Sequence, residues 1–524
     1  MVRGSKTGNS PETRVLLTSQ GSDDEEFDTG CDYDTALSRT GYGRFHYLLT
    51  LVCGWANASD AVEILCISFL LPSAECDLQL TQARKGWLSA ILFVGMMIGG
   101  YVWGSLGDTL GRKTVLINAM VVNTVAGFFS SLSQDFYLFM LLRFLSGVGV
   151  GGSIPVVWTY YAEFQPSSRR GAALSVLASF WMIGNLTVAA SAWLIIPHNI
   201  GWNEPAAFKY NSWRIFVAVS AFPSMLVALA LLVLPESPKF LLSKGRERES
   251  LNVLRLMFSS NTGGEMSDYP VTRLISNRLS PHILPASKVG WRQAAAECLE
   301  KARQLFSANI IYITITIITI NFAIQFGYYG LWLWFPELFN KLEKFHALEP
   351  NKTLSVCEIV SLEMELDAAK NQTSSHCSAS IPDNQVFINS FIISLSAAPA
   401  NLWTIIHMDT LGRKFFLCFS MLLSGASAFL IYLVNSATMN LILSCIFGAV
   451  STMGFNSLDC LGIELFPTSL RSTAMAVTLV AARLGAITGN LVFGYLVESH
   501  CATPILMVAA LLVGKTSTST GCAD

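Results

Sequence analysis

Asp108-Thr-Leu-Gly-Arg-Lys113 occurs a second time, residue for residue, as Asp409-Thr-Leu-Gly-Arg-Lys414. Each copy is a polar turn between two long apolar runs. A looser pair, Glu163-Phe-Gln-Pro-Ser-Ser-Arg-Arg170 and Glu464-Leu-Phe-Pro-Thr-Ser-Leu-Arg471, repeats at the same displacement, since 409 − 108 and 464 − 163 both equal 301. Two unrelated landmarks with one displacement mark a tandem duplication. In a membrane protein that is the parallel-repeat plan of a carrier whose halves rock about a central site.

The composition places most of the chain in a bilayer: 52% of residues are apolar and only 13% charged. A spanning helix needs roughly 20 mostly apolar residues. Such runs fall near 45–71, 86–106, 114–132, 136–160, 172–196, 214–234, 308–335, 387–408, 415–434, 438–463 and 473–497, with a shorter twelfth at 501–514. The runs are continuous rather than alternating, so helices are expected instead of barrel strands. The fold class is therefore all-α, two six-helix bundles: 45–234, then 308–514 with a lumenal loop at 336–386. A tail (1–44), a linker with amphipathic helices (235–307) and a polar end (515–524) complete the chain. At 1.5 Å per residue the twelfth run covers roughly 21 Å of a core about 30 Å thick, which reads as a truncated helix.

Lys and Arg set the orientation. Arg112, Lys113, Arg169, Arg170, Arg413, Lys414 and Arg471 share the side of the amino terminus, which is expected to be cytoplasmic; Arg84 and Lys85 are exceptions on the opposite side. That opposite, lumenal side carries the glycosylation sequons Asn351-Lys-Thr and Asn371-Gln-Thr, whereas Asn57-Ala-Ser and Asn185-Leu-Thr fall inside spans out of reach of the glycosylation machinery. Cys357 and Cys377 flank the second sequon and are expected to form a disulfide, with Cys76 as the alternative partner and free thiols as the plainer reading. The tail reads as disordered, and its Glu12, Leu16 and Leu17 fit an acidic dileucine signal for vesicle-sorting adaptors.

The repeated loops suggest a cytoplasmic gate. Asp108, Arg112, Lys113, Glu163 and Arg170, with Asp409, Arg413, Lys414, Glu464 and Arg471, would lock the cytoplasmic side when the carrier faces outward; the alternative is that they only fix topology. Asp60 and Glu63 lie three apart on one helix face. A charge at mid-span costs roughly 2.5–3.5 kcal/mol on insertion scales, so two acids together imply a proton- or cation-binding role, or a salt bridge near the outer end. Arg143 is the counter-charge, either in ion coupling or in a static pair with Glu63. Asp459 and Arg483 are further intramembrane charges that suit each other. Trp181, Tyr328, Tyr329 and Trp332 offer aromatic faces for a solute, while Trp334 beside Pro336 suits the interfacial belt. No phosphate-cradling loop, metal-ligand spacing or nucleophile–base pair is present, so neither an enzyme, a cofactor, a metal nor a nucleic-acid partner is expected.

The Asp-x-x-Gly-Arg-Lys loops, the paired Glu/Arg segments and Pro235-Glu-Ser-Pro-Lys-Phe-Leu241 resemble the sugar-porter and organic-ion branches of the major facilitator superfamily. Ser59-Asp-Ala-Val-Glu63, Phe69-Leu-Leu-Pro-Ser-Ala-Glu75, Gly147-Val-Gly-Val-Gly-Gly-Ser-Ile-Pro155, Phe180-Trp-Met-Ile-Gly184 and Phe326-Gly-Tyr-Tyr-Gly330 resemble the synaptic vesicle glycoprotein 2 family. The resemblance runs from about residue 42 to residue 497. It implies a glycosylated, twelve-span protein of vesicle or plasma membrane. It also implies that Asp60 and Glu63 take part in transport and that Trp181, Tyr329 and Trp332 line a central pocket. The loop at 336–386 is shorter than the pentapeptide-repeat loop of vertebrate members, so toxin and matrix contacts are not expected of it.

The function expected is secondary active transport of a small organic solute by alternating access, coupled to protons through Asp60 and Glu63. The alternative is a non-transporting vesicle scaffold or trafficking receptor. Glycosidase treatment is expected to increase gel mobility, and Asn351→Gln with Asn371→Gln to abolish that change; no change in the unsubstituted chain would refute the lumenal placement.

Overall fold

The computed structural model describes residues 31–198, 200–201, 209–274, 300, 303–308, 310–348, 354–362, 384–467 and 470–520. Glu12, Leu16, Leu17, Asn351, Asn371 and Cys377 lie outside these residues, as do the side chains of Asp409 and Arg471 and most of the second linker helix expected near 291–306.

A short helix α1 (Tyr33–Arg39) precedes the first bundle, which comprises α2 (Arg44–Ser73), α3 (Gln82–Leu110), α4 (Arg112–Leu132), α5 (Phe136–Glu163), α6 (Arg170–Ile195) and α7 (Ser212–Val233). Two cytoplasmic helices follow, α8 (Pro238–Ser243) and α9 (Glu247–Thr262). The second bundle holds α10 (Ile311–Trp332), α11 (Phe335–Leu348), α12 (Asn384–Leu411), α13 (Arg413–Leu433), α14 (Ala437–Leu465), α15 (Arg471–Leu496) and α16 (Ala502–Thr520). Among the described residues, eleven helices are long and apolar enough to cross a membrane, α10 and α11 counting as one. The helix breaks where Pro336, which has no N–H to give the preceding turn, opens α11. The first part of the expected lumenal loop is thus a helical extension of the seventh span.

Local sequence sets the ends. Asp135 caps α5 by accepting from the Tyr137 and Leu138 amides at 2.8 and 3.0 Å. Gly111 and Gly412 turn the chain between spans at φ +107° and +85°, a region that favours glycine. At Gly111 a Cβ would also strike the carboxylate of Glu236, from the Pro-Glu-Ser-Pro segment.

Three sequence expectations are corrected. The tail does not run to residue 44, because α1 docks on the first bundle: Ala36 and Leu37 are buried, Tyr33 donates to the Glu163 carbonyl (2.7 Å) and Tyr269 to the Ala36 carbonyl (2.6 Å). Asn261 of α9 ties the same strap by donating to the Thr40 and Gly41 carbonyls, both at 3.1 Å. Cys357 bonds to Cys501, not to Cys377, because a short helix at 356–362 lies against the connection between α15 and α16. Cys76 is also disulfide-bonded. Finally, the polar end at 515–524 continues α16 as helix to Thr520, although the apolar part remains Ala502–Gly514. This helix packs on α13 and α10 in the twelfth position of the duplicated plan.

Small residues bring α3 and α5 to backbone contact. A Cβ on Gly95 would overlap the Phe144 carbonyl, one on Gly99 the Val148 carbonyl and one on Gly151 the Met96 carbonyl. Gly104, on the same helix, has nothing within 4 Å of where a Cβ would lie. Gly99→Val is therefore expected to cost about 3 kcal/mol or more in stability, and Gly104→Val to be tolerated; thermal unfolding in detergent checks the contrast.

Candidate functional site

The two acids of α2 have separate surroundings. Glu63 is sealed inside the first bundle: its Oε1 accepts from Arg143 Nη1 at 2.5 Å and from Ser146 Oγ at 2.6 Å, both on α5. Arg143 is wholly buried, with its guanidinium 5.2 Å from the centre of the Phe139 ring. Asn123 and Ser224 extend the polar chain into α4 and α7, through contacts of 2.7 Å to Ser146 and 2.9 Å to each other. Asp60, one turn away, accepts from Ser153 Oγ at 2.7 Å through Oδ1 only; its buried Oδ2 has no partner.

Asp60 instead faces the second bundle. Arg483 of α15 lies within electrostatic reach of Asp60 and of Asp459 on α14, and it bonds the Tyr329 hydroxyl on α10. The pairing of Asp459 with Arg483 read from sequence is thus part of a larger cluster that spans both halves. Residues of α2, α10, α14 and α15 meet there because charges left unpaired in the membrane interior cost more than the helix contact that joins them.

The aromatic residues collect beside this cluster. Tyr328 stacks on Trp332 with centroids 5.2 Å apart, and Tyr329 packs on Phe93 of α3 at 4.7 Å. The Trp181 side chain of α6 approaches the Tyr328 hydroxyl. Trp334 departs from expectation: it is fully buried and stacks on Phe493, so it is no belt residue. A cavity of ≈ 20 Å³ lies against Leu65, Ser68, Phe69, Trp332 and Ser394, room for about one water. A solute fits between the halves only if they separate.

Between the bundles, the closest lumenal contacts include a feature that sequence reasoning missed. Lys85, an exception to the charge rule, is wholly buried between Glu337 of α11 at 2.5 Å and Glu75 at 3.1 Å. Burial pushes the Glu75 carboxyl up, against the pull of Lys85. Gly86 and Gly494 meet backbone to backbone beside this clamp, and Trp87 Nε1 donates to Tyr495 Oη at 2.9 Å. The signal in the sequence was a lysine that broke the orientation rule, together with a glutamate just past a span.

At the cytoplasmic end the described ion pairs stay within one half. Arg112 binds Asp108 at 3.1 Å and Glu163 at 3.5 Å, and Arg413 binds Glu464 at 2.7 Å. Lys113 donates to the Leu232 carbonyl at 3.0 Å, and Arg170 reaches Asp34 of α1 at 3.4 Å. Lys414 follows Arg413 in the first turn of α13. Asp108 is 77% exposed and Tyr101 80%. The lumenal ends of the two halves are joined by the Lys85–Glu337 pair.

Two helix bundles with charges at their interface define a multi-pass membrane protein with the major facilitator fold, that of secondary transporters. The profile of the Sugar (and other) transporter family matches residues 36–270. Synaptic vesicle glycoprotein 2A of Rattus norvegicus is 32% identical over 92% of this chain and 77% of its own length. Synaptic vesicle glycoprotein 2C of Homo sapiens is 30% identical, with 97% and 82% covered. The chain belongs to the synaptic vesicle glycoprotein 2 family. Among solved structures, the xylose transporter XylE from E. coli, partially occluded and inward open, superposes with a TM-score of 0.65 at 16% identity over 92% of this chain and 100% of that one. An inward-open form of the same transporter gives 0.62 at 17%, with 91% and 96% covered.

Arg143→Leu leaves Glu63 as an unpaired buried charge and is expected to destabilise by about 3–5 kcal/mol. Adding Glu63→Gln should recover much of that loss, which thermal unfolding of the single and double variants measures.

Proposed function

We propose that this protein carries a small organic solute across its membrane by alternating access, with the protonation of Asp60 coupled to the movement. One observation carries the reading: a buried carboxylate with an unbonded oxygen faces a cation on the opposite half. When the halves part, Asp60 exchanges the field of Arg483 for water, and that change of surroundings couples its proton to the movement. Glu63 and Arg143 have no such freedom, since both lie in the first bundle and move together, so they hold α2 against α5.

Trp181, Tyr328, Tyr329 and Trp332 supply the walls of the solute site. Asp108, Arg112, Lys113, Glu163 and Arg170, with Asp409, Arg413, Lys414, Glu464 and Arg471, form the cytoplasmic gate once the halves rock together on that side. Lys85, Glu75 and Glu337 form its lumenal counterpart. No covalent step is part of this cycle, so the protein is a carrier and not an enzyme. The names of the relatives support residence in a vesicle membrane, to which Glu12, Leu16 and Leu17 would direct it through sorting adaptors.

Uptake of a broad solute panel into proteoliposomes, with and without a pH gradient, tests the reading. Gradient-driven uptake should be lost in Asp60→Asn while exchange without a gradient persists; if no solute moves, the carrier reading fails. Lys85→Ala should shift the resting population outward, so that a cysteine placed at Ser68 reacts faster with an impermeant thiol reagent added from the lumenal side. Unchanged labelling would remove Lys85 from the gate.

A further inference from the structure

Asn185 of α6 is fully buried, yet neither Nδ2 nor Oδ1 completes a hydrogen bond of normal geometry. It lies one helical turn beyond Trp181 and so on the same face. Both side chains approach the Tyr328 hydroxyl across the interface between the bundles. Tyr328 is itself fixed, stacked on Trp332 and edge-on to Tyr329. Gly184 sets the rotation of α6, because a Cβ there would overlap the Ala58 carbonyl on α2. One turn before Tyr329 on α10, buried Gln325 likewise keeps an unbonded Oε1.

A buried amide whose one polar approach is to the Tyr328 hydroxyl, with its remaining donor and acceptor capacity unused, works against folding, since a leucine of nearly the same shape would fill the space without the desolvation cost. Groups of this kind call for a partner that the protein itself does not provide. The amide offers two donor hydrogens and two acceptor lone pairs between aromatic faces. The amide itself carries no charge.

We propose that Asn185 is a specificity-determining contact of the solute site. It would recognise a neutral donor–acceptor group, a carboxamide or a pair of adjacent hydroxyls, on a solute whose flat face packs against Trp181 and Tyr328. This inference rests on the carrier reading for its biological meaning, but binding tests it separately.

The full chain in lipid nanodiscs is titrated with four probes, nicotinamide, D-glucose, choline and L-lactate, and stabilisation against heat is read for wild type, Asn185→Leu and Asn185→Ser. At least one neutral probe should stabilise the wild type, which tells carboxamide from hydroxyl recognition. Its affinity should fall about ten-fold in Asn185→Leu and less in Asn185→Ser, while unliganded Asn185→Leu melts no lower than wild type. Equal affinity in all three proteins, binding of the charged probes alone, no binding of either neutral probe, or a lower melting temperature of both unliganded variants would each overturn the assignment. Uptake of the same probes separates the two readings. Asn185-dependent binding without uptake sinks the carrier and keeps the contact, whereas uptake of choline or lactate alone does the reverse.

Discussion

Lipid tails are as apolar as leucine, so no hydrophobic force drives one spanning helix onto another. Close packing and paired polar groups must do that work. The interleaved contacts of Gly95, Gly99 and Gly151 on α3 and α5 answer the first requirement in the amino-terminal half. Gly330 and Gly489 answer it between α10 and α15 in the other half, where each leaves room for the backbone of its neighbour. Such contacts are rigid. In the proposed cycle each bundle would move as a body, with change confined to the surface between the bundles.

The same medium decides where charges sit. Glu63 and Arg143 neutralise each other within one body, and Lys85 is neutralised only when the second body brings Glu337 to it. Intramembrane pairs thus sort into two kinds, those that hold a bundle together and those that depend on how the bundles meet. The second kind would suit the proposed gate, because breaking the contact would return Lys85 and Glu337 to water that can solvate them.

Much of this was legible in the sequence, and the reason lies in what hydropathy encodes. The cost of leaving backbone groups unpaired in lipid forces long apolar runs to be helices, so the spans and the duplicated turns could be read directly. Asp60, Glu63 and Arg143 stood out because each charge is expensive where it sits. Sequence shows that cost but not who offsets it. Partner choice depends on helix rotation and on how the halves meet, which is why Lys85 looked like an orientation error and Cys357 was matched to its neighbour in the chain rather than to Cys501. Asn185 was visible only as an unusable sequon, since its open amide exists only once α6 is set against α10. The docked strap at Tyr33–Arg39 was missed because its few apolar residues, Ala36 and Leu37 among them, are too sparse to mark a fold boundary.

Asp60 and Glu63 then carry a consequence of their spacing. Three residues apart on one helix, they cannot change their distance when α2 moves, yet their counter-charges belong to different bodies. Rocking alters the field at Asp60 and leaves that at Glu63 nearly constant. In the proposed cycle the fixed pair keeps the helix in register while the neighbouring acid reports the position of the other half. A pair of acids that both faced the interface would lose its anchor, and a pair that both faced inward would sense nothing. The division of roles follows from the roughly 60° between residues three apart on an α-helix, which is enough to aim two neighbours at different partners when the helix lies at the seam between one bundle and the next.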